Sequence, residues 1–354
     1  MNSDSRTTPS AAPRHARVAL MWLLSLLGLG GADTALAQEH SPDARLARVA
    51  SLRTEHKPAG VPGDYVQTPF GYFPPACVQH LGRGARVLDD GSLQRADGVR
   101  ERAQVCTQDN FTPDGTRARP DGRDLAGRQV RGGAALAATE SRRALPPPIT
   151  HDWVQAAGYN TGTPIGRIVA SWTVPPNPIS ASGQTVYFFP GLQSDTPVIL
   201  QPVLGYRGNN NTWDLSSWNC CKDDTVWYSD FIPAKAGDQI VGDTYATCST
   251  PGRTCSSWNI DTRNLTSGRS VRLSTTSSGN LNLVVGGALE VYSVTNCDQY
   301  PPNGSISFAR IGVYDYNFNR VQSPPWQSIA DSSRLDVQCN YSVNTTATSA
   351  TITY

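Results

Sequence analysis

Glutamate is almost missing from the last two hundred residues of this 354-residue chain. Between Ser141 and the C-terminus there is one, Glu290, against thirteen aspartates. Histidine does not occur beyond His151, and lysine from Ala144 onward is limited to Lys222 and Lys235. No C-x-x-C pair is present, no phosphate- or dinucleotide-binding glycine loop, and no window that keeps a helical period over three turns. Each gap removes a chemistry. Without histidine, Ser-His-Asp and Cys-His arrangements have no base, and histidine-ligated metals have no ligands. A Ser-Lys mechanism has few candidates. An enzyme made from this region would run on carboxylates, and neither a metal nor another cofactor is expected.

The N-terminus carries Arg14 and Arg17 ahead of an apolar run from Val18 to about Leu29, then the small-residue site Ala35-Leu36-Ala37. That pattern reads as a secretory signal peptide over residues 1–37, too short for the ~20 residues of a spanning helix. The expected location is therefore secreted, extracellular or periplasmic, with no membrane partner in the mature form. Eight cysteines follow, an even number, and in an exported chain they read as disulfides. Cys77–Cys106 and Cys248–Cys255 are the natural local pairs, while Cys220, Cys221, Cys297 and Cys339 pair among themselves in an open order.

Charge divides the chain. From Ala144 on there are eleven Lys plus Arg and fourteen Asp plus Glu, a net −3; the whole chain is +1, so residues 1–143 carry +4. Near-neutrality gives no reason to expect a nucleic-acid partner. Residues 38–143 form a basic leader, with a helix-like piece around "ARLARVASLRTEH", a small unit closed by Cys77–Cys106, and a Gly-, Pro- and Arg-rich linker ending at Arg142-Arg143 and a proline run. Residues 144–354 have another texture. Short Val-, Ile-, Thr- and aromatic-rich runs alternate with Gly, Pro, Asn and Ser clusters, which predicts an all-β, antiparallel sandwich.

Inside that domain "VVGGALEVYSV" reads as a strand apolar on both faces with Glu290 in its middle. A charged carboxylate there costs several kcal/mol unless it is paired, neutralised or opened to a cleft. Pairing with Arg272 or Arg310 on a neighbouring strand is the structural alternative to a role as acid or base. "VILQPVLGY" sets Gln201 in a similar apolar strand, and a carboxamide both donates and accepts. Together the two make a minimal hydrolytic pair: Glu290 moves the proton and Gln201 stabilises the tetrahedral oxygen. Trp213, Trp218 and Trp227 are candidates to line a substrate groove.

With these strands placed, Ser171 to Tyr354 resembles the eqolisin, or glutamic peptidase, family. The motifs follow the family's order: "SWTVPP", "ILQPVLGY", "WDLSSW", "IPAKAGDQIVG", "NLTSGRSV", "GALEVYSV" and "SATITY". Tyr187 and Phe188 stand where the family has a Trp, and Gly287 replaces the Trp three residues ahead of the glutamate. The resemblance implies a concanavalin-like β-sandwich, a Gln201–Glu290 dyad, and a secreted, acid-acting endopeptidase. Its partners would be a protein or peptide substrate and its own N-terminal pro-segment, held against an acidic domain until low pH releases it; the chain is expected to be a monomer. The rival expectation is a non-catalytic secreted β-sandwich that binds carbohydrate or protein through exposed Trp and Tyr.

Overall fold

A computed structural model describes residues 48–54, 56–119, 149–194, 198–221, 224–248, 255–277 and 279–354. The expected signal-peptide segment, the linker beyond residue 119 and Arg142-Arg143 lie outside the described residues; the start of the expected linker, from Thr112, is described and contains a strand, Arg117–Ala118. Of the helix-like piece only the end is described, and 48–50 is helical. Among the described residues no helix is long and apolar enough to cross a membrane.

Turn signals such as "DDGS" break the leader into short strands: β1 (Val66–Thr68), β2 (Gly71–Phe73), β3 (Val78–His80), β4 (Arg86–Val87), β5 (Leu93–Gln94), β6 (Arg100–Glu101), β7 (Asn110–Phe111) and β8 (Arg117–Ala118). The later region has the longer runs and gives longer strands. They are β9 (Thr150–Asn160), β10 (Ile165–Thr173), β11 (Thr185–Ser194), β12 (Ile199–Arg207), β13 (Thr212–Cys220), β14 (Val226–Tyr228), β15 (Ile232–Ala234) and β16 (Gln239–Ala246). After them come β17 (Ser257–Asn264), β18 (Arg269–Thr276), β19 (Leu281–Val294), β20 (Ser305–Asp315), β21 (Gln327–Ser328), β22 (Ser342–Thr346) and β23 (Ser349–Thr353).

Two sheets pack face to face, as the strand pattern predicts. The first runs β21-β9-β19-β11-β12-β13-β14-β3, with β15 also on β13; the second runs β22-β23-β20-β10-β16-β17-β18-β4-β5-β6. Between them lies a core that includes Phe188, Leu204, Leu215, Trp258, Leu289 and Phe308. Each such side chain stabilises the fold by about 1.5–3 kcal/mol when fully buried. Gly287 explains one departure in the motif: a Cβ there would lie 2.2 Å from Phe308 Cδ2, so a bulky residue is excluded by the facing sheet.

The leader is built into this sandwich. Strand β3 pairs in parallel with β14, and β4 pairs in parallel with β18, so the leader extends one edge of each sheet. A third, small sheet, β1-β2-β7-β8, belongs to the leader as well. A second apolar cluster joins Val66, Tyr72, Phe73 and Phe111 of the leader to Tyr187, Phe189, Trp218 and Tyr292 of the first sheet. This second cover is why β19 is buried on both faces although an antiparallel sheet commonly wets one. The described residues on either side of residues 120–148 accordingly belong to one compact unit, which the change in sequence texture near Ala144 does not reveal.

All eight cysteines are paired. The two local pairs form as expected, and the open set resolves to Cys220–Cys221 and Cys297–Cys339. None of the four joins the leader to the later strands.

Candidate active site

The site is set by strand parity. Successive residues of a strand point to opposite faces, so Glu290 and Tyr292 share the face of β19 opposite to Leu289 and Val291. That face meets the leader, while Leu289 and Val291 enter the core between the sheets. On β12 the same rule sends Leu200 and Leu204 into the core and leaves Ile199, Gln201 and Val203 on the leader side. Glu290 and Gln201 therefore face the same layer.

Glu290 is 0% exposed. Across the strands it is opposite Trp153 on β9 and Tyr187 on β11. Its Oε1 accepts a hydrogen bond from the Tyr292 hydroxyl at 2.8 Å; no donor reaches Oε2 in good hydrogen-bond geometry, although the Trp153 indole lies close enough to stabilise the charged carboxyl. Neither arginine considered as a partner reaches it: Arg272 holds Asp261 through two bonds of 2.6 and 2.7 Å, and Arg310 is exposed on the second sheet. Burial pushes the Glu290 carboxyl well above its ordinary range; the Tyr292 hydrogen bond pulls the other way, the nearby Asp152 charge adds to the rise, and the Trp153 indole helps to lower it. Covered by the leader, Glu290 favours its neutral form.

Gln201 is also 0% exposed, and neither its Oε1 nor its Nε2 has a partner. It lies opposite Trp218 on β13 and beside Gly191 on β11, where a Cβ would come within 3.4 Å of its own. One strand, β11, separates the two candidates. Glu290 borders Tyr187 and Gln201 borders Gly191, so they stand diagonally across Phe189 without bonding to each other. Buried polar atoms are nearly always paired. Several exceptions lie on this layer, namely Glu290 Oε2, both Gln201 atoms, and the hydroxyls of Tyr72 and Tyr228, while others, such as Trp172 Nε1 and Trp213 Nε1, lie in the core between the sheets.

Of the three tryptophans, only Trp218 lies on this layer, stacked on Tyr228 at 5.0 Å between ring centroids. Trp213 and Trp227 belong to the core between the sheets. Trp213 and Leu215 alternate with residues of the other face, and Trp227 falls between Val226 and Tyr228. Composition made all three groove candidates; parity removes two.

Several neighbours escape a reading centred on one acid and one amide. Tyr292 could have been found from the period of two, since it follows Glu290 by two positions. Arg207 ends the "LQPVLGYR" strand on the parity of Gln201; its guanidinium donates to the Tyr187 hydroxyl at 3.0 Å and lies 3.4 Å from Asp214. Burial raises the Asp214 carboxyl, and Arg207 opposes that. Beside this pair is a cavity of about 270 Å³, lined by Arg207, Asp214, Thr185 and Phe231 together with Ser51 and Gln67 of the leader.

Comparison with known proteins gives solved structures only. A scytalido-glutamic peptidase with a peptide-based transition state analog is 21% identical with a TM-score of 0.43, covering 58% of this chain and 99% of its own. SCP-B, a member of the eqolisin family bound to the tripeptide Ala-Ile-His, is 20% identical with a TM-score of 0.40 at the same coverage. The enzymatically active domain of a bacteriophage tailspike protein 2 is 16% identical with a TM-score of 0.28 over 45% of this chain and 23% of its own. No family model and no curated protein matches. The chemistry of this site therefore stands on its own residues.

Proposed function

We propose that the chain is the precursor of an exported glutamic endopeptidase, acting in acid, with Glu290 as its acid–base group and Gln201 as its oxyanion donor. One observation carries this reading: a fully buried acid, held by a phenol, shares a layer with an unpartnered carboxamide. Burying such groups is unfavourable, and a site is the common reason for keeping them. The four disulfides fit an oxidising destination.

In this reading residues 38–143 are a pro-segment whose departure wets the layer. Glu290 then loses the burial that holds it neutral and moves toward the ordinary glutamate value of ~4.3, within reach of a base at mildly acid pH. Tyr292 keeps Oε1 fixed and leaves Oε2 to take a proton from water as that water attacks the carbonyl carbon. Gln201 Nε2 donates to the oxygen that becomes negative. Glu290 then returns its proton to the leaving amine. A peptide lying across β11 would span the diagonal from acid to amide.

Among the described residues, charge has a small part in holding the leader. Asp230 meets Arg48 at 3.5 Å and His80 at 2.7 Å, but the contact is chiefly apolar and strand-paired. The test is cleavage of denatured haemoglobin between pH 2 and 7 by the acid-incubated full chain, wild type beside Glu290→Gln and Gln201→Ala. Wild-type cleavage that both variants lack supports the reading. No wild-type cleavage removes it and leaves the binding-module alternative.

A further inference from the structure

The turn between β1 and β2 is tied to the acid through Tyr292. Gly71 N–H donates to the Tyr292 hydroxyl at 2.7 Å, and that hydroxyl donates to Glu290 Oε1 at 2.8 Å. One side-chain oxygen thus links the backbone of the turn to the carboxyl. The turn is fixed there: Gly71 has φ of +112°, and a Cβ would meet Phe111 O at 2.0 Å. Only glycine fits both demands.

Phe70, the preceding residue, enters an aromatic box. Its ring centroid is 6.4 Å from that of Trp218, edge to face at 71°. Trp218 stacks on Tyr228, and Phe231 closes the side at 6.0 Å from Trp218 and 5.7 Å from Tyr228. The Trp218 indole is held by its N–H bond to Ser216 Oγ at 2.6 Å, which presents its ring face as a fixed wall. Trp218 is also the cross-strand partner of Gln201. An aromatic side chain in the box and its following backbone N–H at Tyr292 therefore bracket the two candidate catalytic groups.

We propose that Trp218, Tyr228 and Phe231 form a side-chain subsite that takes a bulky aromatic residue of a peptide, and that Phe70 fills it in the precursor. This rests on the peptidase reading above and adds its substrate preference. The edge-to-face contact is the geometry aromatic pairs prefer, and each such pair adds selectivity beyond buried area. Phe70 stays partly exposed, so the box is not closed around it.

The test digests a peptide library with the acid-incubated full chain and sequences the products. Phe, Tyr and Trp should be enriched several-fold at one fixed position from the cut. The ratio of kcat/KM for an aromatic over an alanine peptide should fall about tenfold or more in Phe231→Ala, with Trp218→Leu moving the same way. Cleavage without aromatic enrichment overturns the proposal and leaves the peptidase reading in place. If the wild type cleaves nothing, the peptidase reading fails by itself and binding decides the box. Full-length Phe70→Ala is then titrated with N-acetylphenylalanine amide by calorimetry. Saturable heat that the wild type lacks, and that Phe70→Ala/Trp218→Leu loses, supports the subsite; no saturable heat overturns it.

Discussion

Replacing Tyr292 by phenylalanine removes one oxygen and two buried hydrogen bonds. The hydroxyl donates to Glu290 Oε1 and accepts from Gly71 N–H, so its loss orphans a second carboxyl oxygen and a leader amide. A buried group left unpaired costs about 1–3 kcal/mol, which puts Tyr292→Phe at about 2–6 kcal/mol for the two together. Tyr72 is the control. It packs 5.6 Å from Tyr292 ring to ring, but its hydroxyl has no partner, so Tyr72→Phe should be neutral or slightly stabilising. Urea unfolding of the full chain at pH 7, extrapolated to water, measures both. Equal effects, or a loss below about 0.5 kcal/mol for Tyr292→Phe, would refute the view that this phenol ties leader to acid.

Glu290→Gln should abolish activity yet gain on wild type in stability as pH rises. A carboxyl raised by burial contributes its full stability below ~4.3 and loses about 1.4 kcal/mol per pH unit above it, until its own folded value is passed. A constant gap between variant and wild type at pH 4 and 8 would contradict this. His151 runs the other way: its Nδ1 accepts from Ser293 N at 3.1 Å, and burial lowers the ring to about 4. Its contribution is complete above ~6.5 and lost as pH falls through about 4, at most about 3 kcal/mol, so His151→Asn should flatten the acid limb of a urea-midpoint profile. Arg207→Met should cost about 2–4 kcal/mol by stranding Asp214, and adding Asp214→Leu should recover much of it; a double variant as unstable as the single would count against the pair. Removing Cys297–Cys339, which spans 42 residues, with two serines should cost about 4 kcal/mol of unfolding free energy, and an unchanged urea midpoint would show that this loop is ordered without it.

Much of the sandwich was legible because its signals are local. Alternation, turn residues and the absence of a helical period predict antiparallel strands, and Glu290 stands out as an acid in an apolar run. Which face a residue takes is less legible, since it depends on register and on what covers the sheet. Trp213, Trp218 and Trp227 look alike in composition, yet only Trp218 points to the leader. The leader's parallel pairing through β3 and β4 is a contact between residues more than 140 positions apart, and nothing local encodes it. Gly287 was visible as a missing Trp, but its reason, the ring of Phe308, belongs to the opposite sheet.

The central claim is that Glu290 does the chemistry once the leader is gone. Its most direct measurement is the rate at which acid-incubated wild type and Glu290→Gln, each shown folded by its urea midpoint, release peptides from haemoglobin at pH 4. The account predicts steady release by the wild type and none by the variant. Equal release by both would contradict it.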